Sequence, residues 1–167
     1  MLARVCEVRL EQATRGVPVT LSLSRIELAN ADISLPATVL GLGVPKLAPL
    51  GLTGDVLIHV ASLSIARDAM EGNATLQWHA AGSTLTPVSP LGDYEVRLDG
   101  EGMTVHAFLR TIEGPLQLDG KGSWTRGDSP AFLAMARIPP QHQQQLAPLL
   151  RLIAVERGEG RFELQLN

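Results

Sequence analysis

Residues 96–122 read VRLDGEGMTVHAFLRTIEGPLQLDGKG, with LDGEG (98–102) repeated some 20 residues on as LDGKG (118–122). Glycines at this spacing either cradle a phosphate, help to hold a cation, or turn the chain. A dinucleotide fingerprint needs a third glycine and a helix after it. Here Gly102 leads to Val105 and Gly122 to Thr125, so the third glycine is missing both times. A phosphate loop needs a leading glycine five residues before its Gly-Lys pair, and Pro115 stands there. A calcium loop needs acids at alternating positions and a closing glutamate, and Asp99 with Glu101 supplies only two oxygens. What flanks the glycines is more informative. Tyr94, Val96 and Leu98 alternate with Asp93, Glu95 and Arg97, and Val105, Ala107 and Leu109 alternate with Thr104, His106 and Arg110. Apolar and polar residues trading places at period two mark strands with one covered face. Asp-Gly between such runs signals a hairpin. The reading therefore predicts turns at Asp99-Gly100 and Asp119-Gly120, with positive φ at both glycines.

The same period recurs along the chain: Val19, Leu21 and Leu23; Leu76, Trp78 and Ala80; Phe162, Leu164 and Leu166. Gly72-Asn73, Gly127-Asp128 and Gly158–Gly160 supply further turn signals. Residues 55–65 are apolar on both phases, as expected of a central strand covered on both faces or one that carries a bulge. One helix is expected after Pro139-Pro140, with Leu146, Leu149, Leu150 and Ile153 on one face and a kink at Pro148. A short helical turn is expected near Lys46–Leu50. The fold class that follows is mainly β: one domain over residues 1–167, a strongly curved antiparallel sheet or half-barrel of about ten strands with one C-terminal helix.

Bulk properties narrow the function. The chain has 167 residues, 45% of them hydrophobic, a net charge of −3 and a mean hydropathy of +0.13. These suit a folded domain with a real core. No basic block and few aromatics argue against nucleic acid. One cysteine, Cys6, reads as a small apolar residue. The most apolar region, 35–54, is broken by prolines and glycines and is no membrane span. The four histidines, His59, His79, His106 and His142, lack metal-ligand spacing. Asp93 and Glu95 share a strand face but read as ordinary polar positions. Trp78 falls on the apolar phase, and Trp124 at a rim. No cofactor, metal or nucleotide requirement is expected, and no enzyme.

Three blocks in order carry a family resemblance: Pro90-Leu-Gly-Asp-Tyr94 following Leu76-Gln-Trp78; Gly114-Pro-Leu-Gln-Leu118 with Gly120, Gly122 and Trp124; and Leu146-Ala-Pro-Leu-Leu150 followed by Gly158-Glu-Gly160-Arg-Phe162. From about Leu47 onward the chain resembles the type II secretion system protein N family, also called general secretion pathway protein N, and more distantly AsmA-like envelope proteins. The resemblance implies a non-catalytic component of the secretion apparatus with no catalytic residues to carry over. It implies a periplasmic domain behind an inner-membrane helix that this chain lacks, and partners among the inner-membrane platform proteins or the outer-membrane secretin. Docking is expected along an exposed strand edge, with Arg161, Glu163 and Gln165 of the terminal strand as its residues, unless that strand is interior. The alternative is a lipid- or hydrophobic-ligand-binding module that uses the concave face of the sheet. The two readings differ in whether the helix and segment 35–54 fill that face.

Overall fold

A computed structural model describes residues 4–8, 17–21 and 25–166, with side chains from Arg25 onward. Its strands are β1 (Arg4–Val8), β2 (Val17–Leu21), β3 (Arg25–Pro36), β4 (Leu52–Ala66), β5 (Met70–Ser83), β6 (Gly92–Glu101), β7 (Thr104–Glu113), β8 (Gln117–Thr125), β9 (Ala131–Arg137), β10 (Val155–Glu156) and β11 (Arg161–Leu166). They form one antiparallel sheet in the order β1-β2-β3-β4-β5-β6-β7-β8-β9-β11-β10. Its two end strands, β1 and β10, do not meet, so the sheet is open. Cys6 lies in β1; its side chain, those of Val19, Leu21 and Leu23, and all of Asn167 fall outside the described residues.

Because the sheet is a meander, its connections sort to two ends. Among the described residues, one end has only tight links: 67–69, 102–103 and 126–130. The other carries every described helix. After β3 come the 3₁₀ turn Ala37–Val39, α1 (Leu40–Gly43) and the 3₁₀ segment Pro45–Leu50; after β9 come Pro140–His142 and α2 (Gln143–Leu150). The expected helix is thus present, with Leu146, Leu149 and Leu150 buried and Pro148 inside it. The helical turn at 46–50 is also present. Leu146 and Phe162, both fully buried, join Val56, Leu50, Leu116 and Ile138 in one core beneath these helices.

The double phase of 55–65 comes from a bulge. The β4–β5 register shifts between Val60 and Ser62, so Val56, Ile58 and Val60 face inward before the shift and Leu63 and Ile65 after it. Leu57, on the other phase, is 42% exposed, so the strand is not covered on both faces.

The Asp-Gly turns are corrected. Asp99 and Gly100 pair with His106 and Val105 inside the β6–β7 ladder, and the reversal falls at Gly102-Met103, where Gly102 has φ +64°. Asp119 and Gly120 sit inside β8, paired with Arg110 and Leu109, and the preceding turn uses Gly114, with φ +123°. Gly72-Asn73 is likewise inside β5, whereas Gly127, Gly158 and Gly160 do sit in turns. The physical reason is curvature. Facing Cβ atoms on adjacent strands normally stand ~4.5–5.5 Å apart. A Cβ on Gly120 would lie 2.8 Å from that of Ala134, and one on Gly100 would lie 2.8 Å from the Met70 carbonyl oxygen. Inner-face side chains converge where a sheet curls, and glycine is the residue that fits a close backbone approach.

Candidate functional site

The sheet is tightly curled at the hairpin end. Arg126 follows β8, yet its Nη1 donates to the carbonyls of Ala66, at 3.4 Å, and Arg67, in the β4–β5 turn. On a flat sheet four strand spacings separate those hairpins, about 19 Å, beyond the reach of one side chain. The walls therefore rise around a trough. Its floor is β5 to β7, its walls β4 and β8–β9. Cross-strand rows run along it: Val60–Ala74–Leu98–Ala107–Gly122–Phe132, then Leu63–Gly72–Gly100–Val105–Trp124.

The concave face divides in two. Toward the helical end it is filled: α2 and the 37–50 segment bury Val56, Trp78, Leu118 and Phe162. Toward the hairpin end it is open, a groove of about 340 Å³. Only Asn73 and Ser123 among its lining residues carry polar side chains. The lining backbone is paired into ladders, so the groove offers little to a hydrogen-bonding ligand. Trp124, 45% exposed, stands at the rim as the sequence suggested, and Trp78 packs against the core while donating its indole N–H to the Thr53 carbonyl at 2.9 Å.

The expected docking edge needs revision. β11 is not the edge strand of the sheet: the chain turns back through Gly158 and Gly160, and β10 pairs with Phe162 and Glu163. Arg161 exchanges backbone hydrogen bonds with Arg157 and Gly158, at 2.8 and 2.9 Å, and Glu163 holds the Arg157 guanidinium at 3.0 Å. Gln165 lies one step beyond this two-residue cover. Its carbonyl accepts from Lys46 Nζ at 2.9 Å. Groups of one residue in an antiparallel strand point the same way, so the Gln165 amide faces outward too.

The convex face carries the paired charges, among exposed apolar residues such as Phe108 and Leu133. Asp93 accepts from the Ala80 amide at 2.8 Å and stands 3.2 Å from His79 Nδ1. The His79 hydrogen bond, then the Ala80 amide, hold its carboxyl below the ordinary aspartate value. Glu95 is held low first by the Gln77 amide at 3.1 Å and then by Arg110 at 2.7 Å. Two carboxylates kept ionised by separate partners are unsuited to share one proton, and neither is a ready general acid at neutral pH. His59 pairs with Asp32 at 2.6 Å, far from His79 along the strands. Among the described residues no group of three or more potential ligands gathers to hold a metal. Tyr94, buried between strands, directs its hydroxyl to the carbonyls of Leu116 and Leu91 at 2.8 and 3.1 Å, and burial pushes its ionisation far above the ordinary phenol value. It is a structural tie.

A family model of type II secretion system protein N matches residues 4–165. The chain belongs to the type II secretion system protein N family. The match reaches well before Leu47, so the resemblance legible in the three blocks extends over the whole sheet. No curated protein and no solved structure matches the chain. Membership makes it a component of the type II secretion system, a structural part of an envelope machine for protein secretion, whose partners are other components of that machine. No helix among the described residues is long and apolar enough to cross a membrane.

The trough was the feature hardest to find from sequence. Its signal was there: Gly72, Ala74, Gly100, Ala107, Gly120 and Gly122 are all small and all lie on the apolar phase. Small residues on the inner phase of successive strands are what a tight curl requires, but two of them sat beside aspartates and imitated turns.

Proposed function

We propose that the chain is a non-catalytic interaction module of the type II secretion apparatus, facing the periplasm at the inner membrane, that docks another component by strand addition next to β11. The carrying observation is Gln165: its backbone faces outward beyond the two-residue β10 and is met by one lysine side chain. A partner strand would displace Lys46 and continue the ladder where β10 stops. The platform proteins and the secretin are the partners in view.

The test is a pull-down of purified apparatus components with two variants. Gln165→Pro removes the outward donor and an edge tolerates it, so the variant folds and loses capture. Lys46→Ala removes the competitor for the Gln165 carbonyl and strengthens capture. Retained capture by a folded Gln165→Pro protein sinks the edge.

The open half of the concave face favours a second reading, a site for the hydrocarbon part of a lipid. Its volume falls within the range of small-ligand sites, ~300–1,000 Å³. An extended peptide laid in it would leave its own N–H and C=O groups buried without partners, whereas a hydrocarbon chain has none to satisfy. Native mass spectrometry of protein extracted with membrane lipid distinguishes the readings: a stoichiometric lipid adduct supports this one, and its absence removes it.

A further inference from the structure

Arg126 ties the two walls of the trough and is a surface residue at both ends of its reach. Its own turn, 126–130, is exposed, and so is Arg67, whose carbonyl it holds. Its backbone amide donates to the Met103 carbonyl at 3.0 Å, which fixes the base of the side chain on the β6–β7 hairpin. From there the guanidinium crosses to the β4–β5 turn, where Ala66 and Arg67 turn their carbonyls toward it. The β4–β5 turn is itself closed by the Ala66 amide on the Ala69 carbonyl at 2.8 Å, so the receiving carbonyls are held in place. Met70, the first residue of β5, and Trp124, at the end of β8, stand on either side of this crossing, and both line the groove.

We propose that Arg126 is a strap across the hairpin end of the trough, which sets the distance between its walls and so controls entry of an apolar chain. The inference rests on the hydrocarbon reading of the trough. A guanidinium suits the role because it presents several donors in a plane and stays charged at any working pH. Its partners are neutral carbonyls at solvent-exposed turns, with water ready to replace them, so the link opens and closes without unfolding the walls. Backbone bonds from Met70 to Gly102 and from Arg126 to Met103 tie each tip only to the β6–β7 turn, so the guanidinium is the direct link between the two tips. Release of the strap lets the β8–β9 tip swing away from the β4–β5 tip and widens the mouth between Met70 and Trp124. Lysine in its place would carry the charge but lacks the planar array of donors.

Two readouts test the strap and separate its failure from that of the trough. Spin labels at Asp68→Cys and Asp128→Cys, in a Cys6→Ser background, report the separation of the two tips by pulsed electron resonance. Stopped-flow fluorescence of N-phenyl-1-naphthylamine reports entry of an apolar probe. Arg126→Ala is expected to lengthen and broaden the tip separation and to speed probe association several-fold, with Arg126→Lys in between. An unchanged tip separation overturns the strap whatever the probe does. Equal association rates in wild type and Arg126→Ala, with the tips parted, overturn control of entry. If wild type takes up no probe at all, the trough reading fails and takes the gate with it, even where the tips move.

Discussion

The two halves of the concave face are built from the same strands and differ in what stands over them. At the helical end, inner side chains are large, and α2 with the 37–50 segment closes over them until Leu146 and Phe162 lose all contact with water. At the hairpin end, small inner residues such as Gly72, Gly100 and Gly122 stand between larger ones, the links are tight, and nothing described lies above Leu98, Val105 or Phe132. One sheet is thus a wall of the core along half its length and a vessel along the other half. Stability is concentrated where the helices sit, and the hairpin end is left free to be shaped by another requirement. Mutation should expose this asymmetry.

The largest loss is expected from Leu146→Ala, about 3–4 kcal/mol, since a buried leucine leaves a cavity that its neighbours only partly fill; denaturant unfolding with an unchanged m-value checks it. Gly120→Val is next, about 2–3 kcal/mol, because the added atoms meet Ala134 and force the strands apart. An unaltered melting midpoint would remove the curvature argument. Tyr94→Phe is expected to cost about 1–2 kcal/mol by stranding the buried Leu116 carbonyl, while the Leu91 carbonyl keeps the Leu116 amide. Trp124→Ala, half open to water, should cost less than about 1 kcal/mol while weakening uptake of an apolar probe. A loss as large as that of Leu146→Ala would mean that the hairpin end is packed like the core.

The smallest effect concerns pH. Asp93 is depressed when folded, so its share of stability is present above the ordinary aspartate range. That share is lost as the pH falls through the lower folded value. Asp93→Asn should flatten the acid side of the stability profile slightly and leave the region above about pH 5 unaffected by titration of this site.

What could be read from the sequence follows from which forces act locally. Alternation marks a covered face, so β5, β6, β7 and β11 were legible, and so were α2 and the 45–50 turn through their prolines and leucine spacing. Family membership was legible in PLGDY and GPLQL, stretches that lie at the start of β6 and at the β7–β8 turn. Gly100 and Gly120 were misread because an Asp-Gly pair satisfies a turn rule that looks only at neighbours. Their requirement comes from Met70 and Ala134 on adjacent strands. The terminal strand was misread for a related reason. β10 is two residues long and carries no alternation, yet it displaces β11 from the edge by pairing with Phe162 and Glu163, and the turn after it engages Arg161. Reach across space, as in Arg126 to Ala66 or Lys46 to Gln165, leaves no mark along the chain.

The strand order carries a consequence for how the molecule is made. From β1 to β9 every strand pairs with the next along the chain. Each hairpin can close once its second strand is available, and apart from the 37–51 connection the loops between described strands are short and close cheaply. The core behaves differently. Phe162 from β11 and Leu146 from α2 must reach Leu50 and Val56, about a hundred residues earlier. A chain emerging from its N-terminus therefore assembles the curved wall progressively but waits for its last residues before the helical end is sealed. Until then Leu50, Val56 and Leu116 remain open to water, and the growing edge remains open to any strand that passes. The C-terminal thirty residues act as a closing stroke, and a truncation there would release a formed sheet with an unsealed core.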